Sequence, residues 1–91
     1  MVNKRADSEM IAELYKLIAS LETPEDCEKL FSDLCTYKEI EQMAQRIKAA
    51  RLLMDGKTYT QVRENCDISS ATLSRVSRCV QYGEGYRKFC K

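Results

Sequence analysis

TYTQVRENCDISSATLSRVSRCV, residues Thr58 to Val80, reads as two short helices joined by a tight turn. Val62 and Cys66 are four apart and fall on one helical face. Asp67-Ile68-Ser69 interrupts the pattern, and Leu73, Val76 and Val80 resume it at helical spacing. Two amphipathic helices therefore meet over one small apolar seam. On the second helix Ala71, Ser74, Arg75 and Arg78 lie opposite Leu73 and Val76, a small, polar and cationic face that suits a groove of DNA. Thr58-x-x-Gln61 has capping-box spacing and starts the first helix, which runs to about Cys66. Ser69 caps the second, which continues to about Gln81. Asp67 holds the turn position where many helix-turn-helix sequences have glycine, and aspartate tolerates the left-handed backbone expected there.

Upstream, Thr36-Tyr37-Lys38-Glu39 is another capping box, opening a long helix to about Asp55, with Gly56 suited to a left-handed cap. Ile40, Met43, Ala44, Ile47, Ala50 and Met54 form its expected core stripe, while Lys48 and Arg51 are expected as solvated charge. Before it, Thr23-Pro24-Glu25-Asp26 combines an N-cap, a proline at the first helical position and two carboxylates at the positive end of a helix dipole. The helix that follows aligns Cys27, Leu30, Phe31 and Leu34. A further helix carries Ile11, Leu14, Tyr15, Ile18 and Leu21, with Asp7 or Ser8 as its expected cap. That stripe either closes an intramolecular core or is exchanged between protomers. Past Gln81, Gly83 and Gly85 are expected to break the last long helix.

No run alternates apolar with polar residues, so the class is all-α, with five to six helices. The 91 residues form one domain. Its expected parts are arm helices for dimerisation over 1–35, a central core helix over 36–56, the helix-turn-helix over 58–81 and a basic tail over 82–91. So short a helical chain buries a limited share of its surface, which predicts a dimer.

Net charge is only +1, but it is unevenly placed. Residues 1–45 carry five Lys/Arg against ten Asp/Glu, and residues 46–91 carry ten against four. The basic half thus coincides with the helix-turn-helix, as a phosphate-facing surface requires. Five cysteines without a CxxC pair, and no histidine, argue against a zinc site or a disulfide framework. The expected state is reduced thiols in a cytoplasm. No apolar run reaches membrane-spanning length and the first ten residues lack a signal-peptide core. With no Gly-rich phosphate loop and no nucleophile paired with a base, an enzyme is not expected.

The segments DLCT at 33–36, AQRIKAARLLMDGKTY at 44–59, SSATLSRVSR at 69–78 and YGEGY at 82–86 together resemble the Trp repressor superfamily, in its YerC/YecD-type branch. That resemblance implies an intertwined all-helical homodimer whose two recognition helices enter successive major grooves of a double-stranded operator. It implies a transcriptional regulator of the repressor kind, in a bacterial cytoplasm. In that family one arginine from the long central helix and one from the recognition helix sandwich a bound amino acid. Arg46 and Arg75 match those positions, and Thr36 matches a residue lining the same pocket. The next position is glycine in the Trp repressor and Val76 here, and Cys79 stands where the repressor has serine. The branched Val76 argues against a tryptophan corepressor, so no cofactor is expected and any small-molecule effector is left unidentified.

With the second helix of the motif in the major groove, Ser70, Ala71, Ser74 and Arg75 are the candidates to read base edges. A serine hydroxyl donates or accepts, alanine touches a thymine methyl and arginine forks onto guanine. Thr58, Arg63, Ser69, Thr72, Arg78, Arg87 and Lys88 are assigned to phosphate. Arg75 has three open readings: guanine contact, ligand contact, or a surface salt bridge. A long helix followed by a helix-turn-helix also resembles the promoter-reading region of sigma factors, which makes a polymerase interaction module the alternative.

Overall fold

A computed structural model describes the backbone of residues 4–91 and the side chains of 7–91, and every regular element among them is an α-helix. The chain divides into two compact units, residues 1–36 and residues 37–91.

The first unit holds α1 (Lys4–Ala19) and α2 (Pro24–Leu34). Helix α1 already runs at Lys4, so Asp7 and Ser8 lie inside it and do not cap it. Asp7 instead contributes a carboxylate to the first turn, where the dipole favours it. The Ser20 hydroxyl donates to the Leu17 carbonyl at 2.6 Å and closes the far end. Helix α2 begins as the sequence dictates. Thr23 is its N-cap, accepting the Asp26 N–H at 3.1 Å, and Pro24 follows where a missing N–H costs nothing. No described residue of this unit is buried. Met10, Ile11, Leu14, Leu17 and Ile18 on α1 and Leu34 on α2 all remain exposed.

The second unit contains α3 (Tyr37–Met54), α4 (Tyr59–Asn65), α5 (Ser70–Tyr82) and α6 (Gly85–Phe89). Its core joins Ala49 and Ala50 of α3, Val62 of α4, Cys66, and Leu73, Val76 and Val80 of α5. Leu52, Leu53, Met54, Ile68 and Tyr86 pack around these. The seam anticipated from Val62, Cys66, Leu73, Val76 and Val80 is therefore the core itself. The stripe expected on α3 is shifted. Its buried positions are Ala49 and Ala50, whereas Ala44 and Ile47 are exposed. The helix-turn-helix covers only the carboxyl-terminal half of α3, and two alanines there let α5 approach closely.

Gly56 ends α3 at φ 87°, with the Gly56 N–H on the Leu53 carbonyl and the Lys57 N–H on the Leu52 carbonyl, both at 3.0 Å. This is a Schellman closure, which glycine makes at least cost. Lys48 and Arg51 are exposed, as expected, and each also donates to a backbone carbonyl. Lys48 Nζ donates to the Asn65 carbonyl at 2.8 Å, where the negative end of α4 favours a cation, and Arg51 Nε donates to the Cys90 carbonyl at 3.0 Å. Residues 82–91 are more ordered than a tail, because Gly85 starts α6 where the sequence suggested only a break. Gly83 has a separate role: a Cβ there would lie 2.7 Å from the Cys79 carbonyl oxygen, so the α5 terminus closes only on glycine.

Candidate nucleic-acid interface

Helix α5 is held from two ends and one face. At its start the Ser69 hydroxyl accepts the Thr72 N–H at 3.2 Å and donates to the Thr72 hydroxyl at 3.0 Å. At its close the Gly83 N–H reaches the Cys79 carbonyl at 2.8 Å. Along its length Leu73, Val76, Ser77 and Val80 are buried. The opposite face, Ser70, Ala71, Ser74, Arg75 and Arg78, is exposed. All four candidate base-reading side chains thus share one accessible helix face.

The preceding helix is set by the Thr58 capping box. Thr58 Oγ1 accepts the Gln61 N–H at 3.2 Å, and Gln61 Oε1 accepts the Thr58 N–H at 2.9 Å. Arg63 of α4 then donates to the Ser70 hydroxyl at 2.9 Å, which links both helices of the motif at the edge of the exposed face. The turn between them differs from the expectation for Asp67. No described residue other than glycine has a positive φ, so Asp67 is not left-handed. Cys66 is extended, and the Asp67 N–H is satisfied at 3.1 Å by Gln45 Oε1 from α3.

Gln42, Gln45 and Arg46 of α3 face Asp67, Ile68, Ser69 and Thr72 across a cleft of about 170 Å³ at the amino-terminal end of α5. Gln42 and Gln45 are contributions the motif alone did not reveal. Their spacing with Arg46, at i, i+3 and i+4, was the available signal. Helix amino termini attract anions, so Arg46, Ser69 and Thr72 favour a phosphate in this cleft, against the repulsion of the Asp67 carboxylate that also lines it.

Arg46 of α3 and Arg75 of α5 both act electrostatically on Tyr86 of α6. Burial raises the Tyr86 phenol above its ordinary value of 10.0, the Cys79 and Cys90 thiols push the same way, and both guanidinium groups pull against them. Val76 is only 2% exposed and belongs wholly to the core. Thr36, the third candidate of this group, lies in the first unit. Of the remaining phosphate candidates, Arg87 donates from Nε to the Val80 carbonyl. Lys88 Nζ stands 5.5 Å from the centre of the Phe89 ring. Arg78 is exposed on α5.

All five cysteines are free thiols, and among the described residues no helix is long and apolar enough to cross a membrane. Residues 9–90 match the family model described as Trp repressor protein. The chain is 45% identical over 71 residues to the uncharacterized protein YerC of Bacillus subtilis (strain 168), covering 78% of this chain and 68% of that one. It is also similar to the crystal structure of a TrpR-like protein from Eubacterium eligens ATCC 27750, at 33% identity and a TM-score of 0.85, over 94% of this chain and 90% of that one. A candidate Trp repressor from Staphylococcus aureus superposes with a TM-score of 0.82 at 38% identity, over 87% and 80% of the two chains.

Proposed function

Since the chain belongs to the Trp repressor family, we propose that it is a sequence-specific, DNA-binding transcriptional regulator, acting as a repressor through α5 in the major groove. The observation that carries this reading is the two-sided character of α5. One face is locked into the core, and the other offers Ser70, Ala71, Ser74 and Arg75 to solvent. Arg75 is the most discriminating of the four, because a guanidinium can fork onto guanine O6 and N7. Ser69, Thr72 and Arg46 at the start of α5, with Thr58, Arg63, Arg78 and Lys88, contact phosphate and set the register. Arg87 contributes charge from a fixed position beside Val80.

The active species in this reading is a homodimer, with residues 1–35 as its association arms. The exposed apolar residues of α1, Ile11, Leu14 and Ile18 among them, and the exposed Ile47 of α3 support it. Half-sites then fall about one helical turn apart, roughly 34 Å, a spacing taken from helix-turn-helix dimers generally, the Trp repressor among them. In this reading α5 needs no tryptophan to complete its seat.

Selection of bound fragments from random DNA, followed by sequencing, tests the proposal. The expected product is a site with two-fold symmetry. Arg75→Ala is expected to lose roughly 1–3 kcal/mol of discrimination per contacted guanine while still binding DNA at low salt. Enrichment of no site over random competitor would sink the proposal, and a monomer comigrating with polymerase would replace it with the interaction-module reading.

A further inference from the structure

Within residues 37–91, the end of α3, the first residue of α4, the carboxyl-terminal half of α5 and α6 border a half-open cavity of about 780 Å³. That size falls in the range of small-molecule sites, roughly 300–1,000 Å³. Leu53, Met54 and Val80 give it an apolar wall. Ser77 also lines it and is the buried polar residue of the core, at 7% exposure. As a lining residue, Ser77 brings its hydroxyl within reach of the cavity.

The rim is cationic. The side chains of Lys57, Arg87 and Lys91 stand there with the Asp55 carboxylate and the Tyr59 hydroxyl. Arg87 is fixed through Nε to the Val80 carbonyl, which leaves its two terminal nitrogens for another acceptor. The cavity shares Arg87 with the phosphate candidates but none of Thr36, Arg46 and Arg75, so it is distinct from the ligand group suggested by the sequence.

We infer that this cavity binds a small amphiphilic anion. Its carboxylate or phosphate lies among Lys57, Arg87 and Lys91, its polar head takes hydrogen bonds from Ser77 and Tyr59, and its hydrocarbon or aromatic body covers Leu53, Met54 and Val80. A cation is disfavoured by the rim, and a bare inorganic ion leaves the apolar wall uncovered. The inference holds whether or not α5 reads DNA.

The test is a titration of the isotope-labelled full chain followed by amide NMR shifts, with octanoate and octyl phosphate as probes and octanol, octylammonium and inorganic phosphate as controls. Both amphiphilic anions are expected to shift Leu53, Tyr59, Ser77 and Val80 saturably, about tenfold more tightly than any control. The tighter of the two assigns the head group as carboxylate or phosphate. Lys57 and Lys91 are exposed, so K57Q/K91Q keeps its spectrum while weakening both probes by about tenfold. Ser77→Ala, whose folding the same spectra report, weakens them while leaving the apolar wall intact. Octanol binding as well as octanoate, shifts gathered on Leu14 and Ile18 of α1, or no saturation below about 10 mM would each overturn the inference.

Discussion

Residues 4–36 and 37–91 are both made of helices that carry apolar side chains, and each holds at least one side-chain N-cap, yet only the second group buries any of its described side chains. The helices of the first are not poorer in leucine and isoleucine. What the second has is a shared buried seam: Ala49 and Ala50 of α3 pack with Val62 of α4 and with Leu73 and Val76 of α5. The difference teaches that an apolar stripe specifies a face to be covered but not its cover. In residues 37–91 the cover lies within the same unit, and in α1 the stripe is left exposed.

The sharpest way to break the comparison is to damage the core. Leu73→Ala removes a side chain with no exposure, and the expected loss is about 3–5 kcal/mol in urea unfolding, a large share of the stability of so small a domain. A loss below about 1 kcal/mol would mean that α5 is not seated as described.

The next effect belongs to the other region. Leu14 and Ile18 are each 36% exposed, so L14D/I18D forfeits only part of two side chains' burial, about 2 kcal/mol in association. If the arms hold two copies together, sedimentation shows a dimer dissociation constant raised by one to two orders of magnitude, with the α5 core intact. Unchanged sedimentation would remove the arms from the association surface.

Caps give a finer comparison at equal chemistry. Thr23 and Ser69 each accept one N–H at the start of a helix, but only α5 is tied to a core. At concentrations low enough to keep the chain monomeric, Ser69→Ala is expected to cost the urea-unfolding stability of residues 37–91 about 1 kcal/mol. Thr23→Ala should cost it less than about 0.3 kcal/mol, because its helix frays independently. Equal losses would show that the two units unfold as one block.

These contrasts track what the sequence made legible. The Thr23, Thr58 and Ser69 caps and the left-handed Gly56 are local chemistry within a few residues, and all four stand where the pattern put them. The two faces of α5 were legible for the same reason. The buried part of α3 was not, because Ile40, Met43, Ile47, Leu52, Leu53 and the alanines surround much of that helix, and periodicity cannot choose among them without the partner. The supports of the candidate interface were hidden by distance along the chain: Gln45 to Asp67, Lys48 to Asn65 and Arg51 to Cys90 join residues 22, 17 and 39 apart. Helix α6 was missed because two glycines at its threshold outweighed five residues of weak helical signal.

The smallest expected effect is the pH response of Tyr86, which probes how firmly α6 belongs to the cored unit. Burial, with Cys79 and Cys90, raises its phenol above 10.0 against the pull of Arg46 and Arg75. A group whose proton is held more tightly in the folded chain stabilises that chain fully below its unfolded value. The contribution is then lost as pH rises through the folded value. Wild-type stability should therefore fall above about pH 10 more steeply than that of Tyr86→Phe, which has no phenol to ionise. Absorbance at the phenolate band offers an independent check, since one of the five tyrosines should ionise late in the wild type and that late step should vanish in the variant. Parallel stability curves and an unchanged titration would place Tyr86 in solvent and detach α6 from α3 and α5.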